Sequence, residues 1–121
     1  MKNKSLSKSF RNAWQGIRTT AARERNFKIH IIMGLAAVLC CIILRVETVL
    51  FIWVVFAIFT VLAMELFNTA VEALTDLFCG GKPHQLAKIA KDAAAGAVLI
   101  ASIQAMAVAA AVGFTIVNRY I

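Results

Sequence analysis

Three long apolar stretches, separated by short polar segments, dominate the pattern of this chain. They cover residues 29–44, 49–64 and 93–117. A transmembrane helix needs roughly 17–25 apolar residues, and none of the three stretches alternates apolar with polar residues as a half-buried strand does. The flanking residues extend the first two, so the pattern predicts transmembrane helices at about 29–46, 49–70 and 93–117. The first two follow each other so closely that they predict a tight helical hairpin.

The segment before the first span, residues 1–28, has a different pattern. Its apolar residues recur at helical spacing, with basic residues elsewhere on the circumference: Leu6, Phe10, Ala13, Trp14, Ile17 and Ala21 against Lys8, Arg11 and Arg18. This pattern is typical of an amphipathic helix that lies in the membrane interface, with Trp14 at the depth of the headgroups. The pattern alone leaves open whether the helix handles lipid or only anchors the chain.

Composition places the chain among the membrane proteins. Apolar residues make up 61% of the chain and charged residues only 16%, which excludes an ordinary soluble domain of this size. We therefore predict a single all-α membrane domain over residues 1–121, with an N-terminal amphipathic interfacial helix and three transmembrane helices. Three spans can enclose little core by themselves, so association into an oligomer is expected.

The distribution of basic residues predicts the orientation. The net charge is +7, and eight of the thirteen Lys and Arg residues precede the first span. Further lysines precede the third span, whereas the loop between the first two spans has only Arg45. By the positive-inside rule, the N-terminus and the 71–92 segment face the cytoplasm and the C-terminus lies outside. A basic side of this kind suits anionic headgroups, or an anionic soluble substrate such as a nucleotide.

A stripe of polar residues follows the second apolar stretch. Glu65, Asn68, Glu72 and Asp76 are spaced at i, i+3, i+7 and i+11, which puts them on one face of one helix. A carboxylate at membrane depth costs roughly 2.5–3.5 kcal/mol on insertion scales, so the stripe indicates a cation site, a proton relay or a phosphoryl-transfer site. The alternative is a solvated helix end outside the bilayer, which fits Asp76 better than Glu65.

The segment before the third span carries further candidate groups. Its 80–83 turn, with two glycines and a proline, predicts a break after the second span and a new helix from about residue 85. Lys88, Lys91 and Asp92 fall in the first turns of that helix. The sequence has neither a P-loop nor a kinase glycine-rich loop. A nucleotide would therefore be held by lysines, carboxylates and a metal ion.

The cysteine and histidine residues indicate no metal site. Cys40, Cys41 and Cys79 lack metal-type spacing and are expected to be small apolar fillers. His30 opens the first span and is interpreted as an interfacial residue. His84 follows the turn and could touch a phosphate.

These residues together resemble a known family. The run from Glu65 to Glu72, then Asp76, then residues 84–98 with the Lys91–Asp92 pair, is similar to the signature of the prokaryotic diacylglycerol kinases. These are small integral-membrane lipid kinases of bacteria, and undecaprenol kinase is among them. The amphipathic-helix region of the family is matched by Trp14, Gly16, Arg18 and residues 24–27. The 24–30 stretch resembles the undecaprenol kinase branch more than the diacylglycerol kinase branch, in which the position of His30 is acidic.

The resemblance implies roles for individual residues. It makes Glu65 the general base on the lipid hydroxyl, and it makes Glu24 and Glu72 the Mg²⁺ ligands. The residues that it implies around ATP are Glu24, Glu72, Asp76, Lys91 and Asp92, with Asn68 completing the active site. Lys82 and His84 are weaker candidates for ATP, because the 78–83 turn is one residue longer than in the diacylglycerol kinase branch. The implied lipid-substrate residues are Trp14, Ile17, Arg18 and Glu65.

The resemblance also implies a reaction, a location and partners. The chain is expected to transfer the γ-phosphate of ATP to undecaprenol, giving undecaprenyl phosphate. The alternative acceptor is diacylglycerol, giving phosphatidic acid. Mg²⁺ is the expected cofactor and ATP the co-substrate. The expected location is the bacterial plasma membrane, where the chain forms a homotrimer with sites composed from more than one protomer. No nucleic-acid partner is expected.

The residues also leave open two interpretations from other functional classes. A small ion or proton transporter would also place carboxylates on one stripe, but it predicts charged partners in the first and third spans. Those spans offer neutral groups such as Ser102, Gln104 and Thr115. A non-catalytic scaffold explains the surface helix but not the carboxylates. ATP consumption in the presence of a lipid alcohol distinguishes the three.

Overall fold

The structure is a computed structural model that describes residues 5–121, and over this range every regular element is a helix. The helices are α1 (Leu6–Arg23), α2 (Arg25–Ile43), α3 (Thr48–Cys79) and α4 (Gln85–Tyr120). By length and composition α2, α3 and α4 could each cross a membrane. The all-α class and the three long apolar helices are therefore as predicted. Residues 1–4 of the predicted surface helix lie outside the described residues.

Helix α1 is shorter than the predicted 1–28 helix. Ser5 caps its start by accepting a hydrogen bond from the Lys8 backbone N at 3.2 Å. Its end is set by Glu24, whose backbone is extended (φ −104°, ψ 114°). Residues 25–28, predicted as the end of the surface helix, instead begin α2, where Phe27 is buried. The prediction of an interfacial position for α1 stands untested, although Trp14 is 59% exposed on the single chain.

The α2–α3 link is a tight helical hairpin, as predicted, but α2 ends at Ile43 rather than near residue 46. Arg45 adopts a left-handed backbone (φ 52°), which ends the helix. The Arg119 guanidinium at the far end of α4 donates to the carbonyl of Leu44 at 2.7 Å and to that of Arg45 at 3.4 Å. These carbonyls have no partner within the helix, so Arg119 caps α2 and ties the C-terminus to the hairpin.

Helix α3 is long enough to leave the membrane. Its 32 residues give a length of about 48 Å at 1.5 Å per residue, against a hydrocarbon core of about 30 Å. The helix ends at Cys79, and the two residues after it, Gly80 and Gly81, both have positive φ (55° and 81°). After this turn α4 begins at Gln85, as predicted. The polar stripe on α3 can thus extend from membrane depth to the polar 80–84 turn.

The helices meet in a small core. Cys41 of α2, Val54 of α3 and Val112 of α4 form its buried centre, where Cys41 is an apolar filler. On α2, Gly34 is buried against Ile58 of α3, and a Cβ built at Gly34 would lie 2.9 Å from the Ile58 Cγ2 atom. The glycine therefore permits the close approach of α2 to α3. An apolar groove of about 500 Å³ runs between α2, α3 and α4.

Candidate active site

A part-buried polar contact joins α2 to α3. The Nδ1 atom of His30 lies 2.5 Å from the Oε1 atom of Glu65. Glu65 is 7% exposed, and the His30 side chain is 30% exposed. Glu65 is therefore buried by the chain itself. The interpretation of His30 as an interfacial residue missed this contact, because spacing along one helix carries no information about a partner on another.

Two oxygen atoms on the stripe have no protein partner. Glu65 Oε2 and Asn68 Oδ1 are buried and accept no hydrogen bond from any residue in the 5–121 range. The amide of Asn68 donates from Nδ2 to Glu72 Oε1 at 3.0 Å, which fixes its orientation. An unsatisfied buried polar atom costs about 1–3 kcal/mol. Such atoms in a native structure call for a ligand, a water molecule or an ion to satisfy them.

The other end of the stripe lines a polar cleft of about 650 Å³ between α3, the 80–84 turn and α4. Asp76 of α3 accepts from the Lys91 ammonium of α4 at 2.6 Å. Lys88 contacts Asp92 at 2.6 Å one turn along α4. The structure thus brings together five of the residues predicted to bind ATP. They are Asp76, Lys82, His84, Lys91 and Asp92.

The charges of the cleft favour an anionic ligand. The hydrogen bond with Asp76 raises the pKa of Lys91, and that with Asp92 raises the pKa of Lys88. Both lysines precede the apolar part of α4 and remain cationic at neutral pH. His84 has a structural task, since its Nδ1 atom accepts from the Leu86 backbone N at 3.1 Å and caps α4. Only the other ring nitrogen is left to contact a phosphate.

The predicted Mg²⁺ ligands belong to different helices. Glu24 is half-buried at the α1–α2 junction and makes no side-chain cap, and Glu72 is half-buried on α3. Glu24 precedes His30 by six residues, and Glu72 follows Glu65 by seven. Because α2 and α3 are antiparallel, the backbones of Glu24 and Glu72 lie about 9 Å and 10.5 Å from the level of the His30–Glu65 contact, measured along the helix axes and in the same direction.

A metal site built from one chain alone is not found. Within residues 5–121 no three His, Cys, Asp or Glu side chains are close enough to hold a metal ion. The donors present are nevertheless of the right chemical type. Carboxylates and an amide oxygen such as Asn68 Oδ1 suit Mg²⁺, which usually takes one or two protein carboxylates and completes its shell with water and substrate phosphates. The pair Glu24 and Glu72 remains a prediction.

The predicted lipid-substrate residues of α1 lie apart from the polar cleft. Trp14 and Arg18 are exposed and Ile17 is half-buried. They are not among the residues that line the cleft. Their predicted contact with lipid is not tested by the contacts of a single chain.

Comparison with known proteins identifies the family. The family model described as prokaryotic diacylglycerol kinase matches residues 11–113. The chain is 43% identical over 104 residues to the diacylglycerol kinase of Synechocystis sp., covering 86% of this chain and 59% of that protein. It is 41% identical over 93 residues to the undecaprenol kinase of Bacillus subtilis, covering 77% of this chain and 75% of that protein. The diacylglycerol kinase of Escherichia coli K12 is 32% identical over 94 residues, covering 78% of this chain and 76% of that protein. The chain therefore belongs to the prokaryotic diacylglycerol kinase family.

Proposed function

We propose that the protein is an ATP-dependent lipid kinase that transfers the γ-phosphate of ATP to the hydroxyl of a membrane-resident alcohol. The observation that carries the proposal is the arrangement of α3. It bears a buried carboxylate with an unpartnered oxygen at Glu65, and it lines a lysine-containing cleft at Asp76. The two positions are 11 residues apart, or about 16 Å along the helix. A lipid hydroxyl from the bilayer and a nucleotide from water can therefore approach the same helix face.

The residues support a direct transfer. Glu65 Oε2 accepts the proton of the lipid hydroxyl as the hydroxyl oxygen attacks the γ-phosphorus. The bond from that phosphorus to the bridging oxygen breaks, and ADP leaves with the electron pair. Lys91 holds the phosphate chain, and the bilayer keeps the alcohol at the depth of Glu65. Mg²⁺, held by Glu24 and Glu72, would supply neutralisation of the phosphate charge.

Glu65→Gln tests the proposal directly. The variant is expected to fold and to bind ATP, while kcat for ADP release with a supplied lipid alcohol falls about 10²–10⁴-fold, the usual worth of a general base. Glu47→Gln is the matched control. It makes the same change at the other end of α3, where Glu47 is exposed and makes no side-chain cap, so its kcat is expected to stay unchanged. Near-normal turnover in Glu65→Gln would remove Glu65 from the mechanism.

The acceptor that we propose is undecaprenol. The support is the 24–30 stretch, with His30 where the diacylglycerol kinase branch is acidic, and the relative from Bacillus subtilis is named an undecaprenol kinase. Diacylglycerol is the second candidate, because the relatives from Synechocystis sp. and Escherichia coli are named diacylglycerol kinases. The ion or proton transporter loses support, since these relatives are all named as kinases.

Steady-state kinetics in mixed micelles distinguish the two acceptors. The measurement is kcat/KM for undecaprenol and for diacylglycerol at matched mole fraction. A few contacting methylenes are worth only about 1–3 kcal/mol, so activity on both is expected, with the larger value for undecaprenol. A tenfold preference for diacylglycerol would replace the acceptor and leave the kinase reaction in place.

The proposed setting is the bacterial plasma membrane. The basic residues favour a cytoplasmic N-terminus and 71–92 segment, an outer C-terminus, and α1 in the cytoplasmic interface with Trp14, Ile17 and Arg18 near the lipid substrate. We propose that residues 1–121 act as one domain within a homotrimer. Support comes from the small core, in which only seven apolar residues are buried in the described part of the chain. Cysteine-accessibility labelling from either side of the membrane tests the orientation.

A further inference from the structure

His30 has no role in the mechanism described so far, yet it makes the one polar contact of Glu65 within residues 5–121. We propose that His30 is a positioning residue that holds Oε1 of Glu65, so that Oε2 is presented to the lipid hydroxyl. The inference rests on the proposed function, in which Glu65 is the general base. It adds a residue on α2 to a site otherwise built from α3, α4 and Glu24.

The chemistry of the two groups determines the direction of the hydrogen bond. An ionised carboxylate can only accept. The His30 Nδ1 atom must therefore carry a hydrogen when Glu65 is ready to act as a base. A hydrogen bond to a charged acceptor is stronger than a neutral one, so an ionised Glu65 would be held firmly by His30. Since Oε1 is engaged, only Oε2 is free to take a proton.

The packing around the pair supports a positioning role. Gly34 lies one turn beyond His30 on α2, and its contact with Ile58 brings the two helices close together. Glu65 is 7% exposed, and its Oε2 atom has no hydrogen-bond partner among residues 5–121. A contact that served the fold alone would gain by satisfying both oxygens, because an unsatisfied one is costly. The arrangement instead fixes one oxygen and leaves the other for the substrate.

Three substitutions at His30 separate positioning from folding. Asn carries its amide nitrogen close to the location of Nδ1 and keeps the donor, Gln places its amide near Nε2, and Leu has similar bulk without a donor. Misplacing a reacting group by about 1 Å can cost roughly 10²-fold in rate. We expect His30→Leu and His30→Gln to lower kcat by about ten- to a hundredfold with an unchanged KM for ATP. His30→Asn is expected to recover most of that loss.

The control for removing a polar group from the membrane region is Thr115→Val. The Thr115 hydroxyl donates to Ala111 of its own helix, so kcat is expected to be unaffected.

A double-mutant comparison then tests whether His30 acts through Glu65. In the Glu65→Gln background, His30→Leu is expected to cause no further loss of the residual turnover. An equal loss in both backgrounds, an Asn variant as impaired as the Leu variant, or a Leu variant with normal kcat would each overturn the proposal.

A spectroscopic measurement tests the His30–Glu65 hydrogen bond without any substrate. In protein labelled with ¹⁵N-histidine, the His30 resonances are expected to show a protonated Nδ1, with the assignment made against His84→Asn. Replacing Glu65 by Ala is expected to abolish this preference for a hydrogen on Nδ1. If wild-type protein phosphorylates no lipid alcohol but keeps Nδ1 protonated, the proposed function fails while the contact stands. An unprotonated Nδ1 in wild-type protein contradicts the inference whatever the activity.

Discussion

Gly34→Ala is expected to disturb the active site from a position one helical turn away from His30. Gly34 is buried where α2 crosses α3, one turn from His30. A Cβ added there would lie 2.9 Å from Ile58 Cγ2 and 3.6 Å from its Cγ1 and Cδ1 atoms. Carbon atoms in favourable contact are about 3.5–4.0 Å apart. The new methyl group is therefore too close by roughly 0.6–1.1 Å.

The clash is not easily relieved within the side chain. Cγ2 is bonded directly to the Cβ atom of Ile58, and rotation about χ1 brings another branch into its place. Overpacking of this kind costs about 1–3 kcal/mol, and the better helix propensity of alanine returns up to about 1 kcal/mol. The net destabilisation is expected to be about 0–3 kcal/mol. Movement of α2 away from α3 would lengthen the His30–Glu65 contact. We therefore expect kcat to fall by more than the decrease in the folded fraction accounts for.

Denaturant titration in detergent micelles measures the stability, and ADP release with a supplied lipid alcohol measures kcat. Gly113→Ala is the matched control on α4, because a Cβ at Gly113 has no atom within 4 Å in the described chain. This control is expected to be neutral or stabilised by up to about 1 kcal/mol. Ile58→Leu keeps the side-chain volume but removes the methyl on Cβ, so combining it with Gly34→Ala is expected to restore both stability and turnover.

Two results would refute this reasoning about helix spacing. The first is a Gly34→Ala variant that matches Gly113→Ala in both stability and kcat. The second is a Gly34→Ala variant that is impaired but gains nothing from Ile58→Leu. The second result would mean that the damage does not pass through the Ile58 contact.

Three further predictions concern the metal, the nucleotide and the hairpin. Glu24→Ala and Glu72→Ala should each raise the Mg²⁺ concentration for half-maximal activity, and the double variant should be less than additive; independent effects with normal metal dependence would count against a shared ion. Lys91→Gln should raise the KM for ATP more than Lys88→Gln does, since Lys91 links α4 to Asp76 whereas Lys88 contacts only its own helix; equal effects would contradict this. Arg119→Gln should lower the free energy of unfolding by about 1 kcal/mol without changing kcat, as thermal melts and kinetics can check.

The parts of the fold that depend on one helix at a time could be predicted from the sequence. Hydrophobic spacing is sufficient to locate α3 and α4, and the 80–83 turn is sufficient to separate them. The stripe from Glu65 to Asp76 was predictable because all its members share one helix. The end of α1 was not, because the sequence carries no glycine or proline at Glu24 to mark the extended backbone that separates α1 from α2.

The His30–Glu65 contact needed the register between two helices. A signal for it does exist in the sequence. In an antiparallel hairpin, residues equally far from the turn lie at the same depth, and His30 and Glu65 are 17–18 residues on either side of residues 47 and 48. The same rule pairs Glu24 with Glu72 in depth. It does not give the rotation of either helix about its axis, so it cannot say which of the residues at that depth face each other.

The depth relation between Glu24 and Glu72 leads to a test of whether sites are shared between protomers. The resemblance implies that they are. We therefore expect Glu24→Ala and Glu65→Gln to complement each other when coexpressed and assembled at random. In a closed ring where Glu24 comes from the neighbouring chain, about a quarter of the sites in a 1:1 mixture combine an intact Glu24 with an intact Glu65.

Complementation needs each variant to keep what the other has lost. A site formed between a Glu24→Ala chain that supplies Glu65 and a Glu65→Gln chain that supplies Glu24 contains every group of the mechanism. Activity of about a quarter of wild type in the mixture, and almost none in either variant alone, is the expected outcome. If each chain completes its own site, every site in the mixture lacks one carboxylate, and activity stays at the level of the single variants however the chains assemble. Cross-linking of tagged copies confirms that mixed assemblies have formed, so an inactive mixture contradicts a shared site.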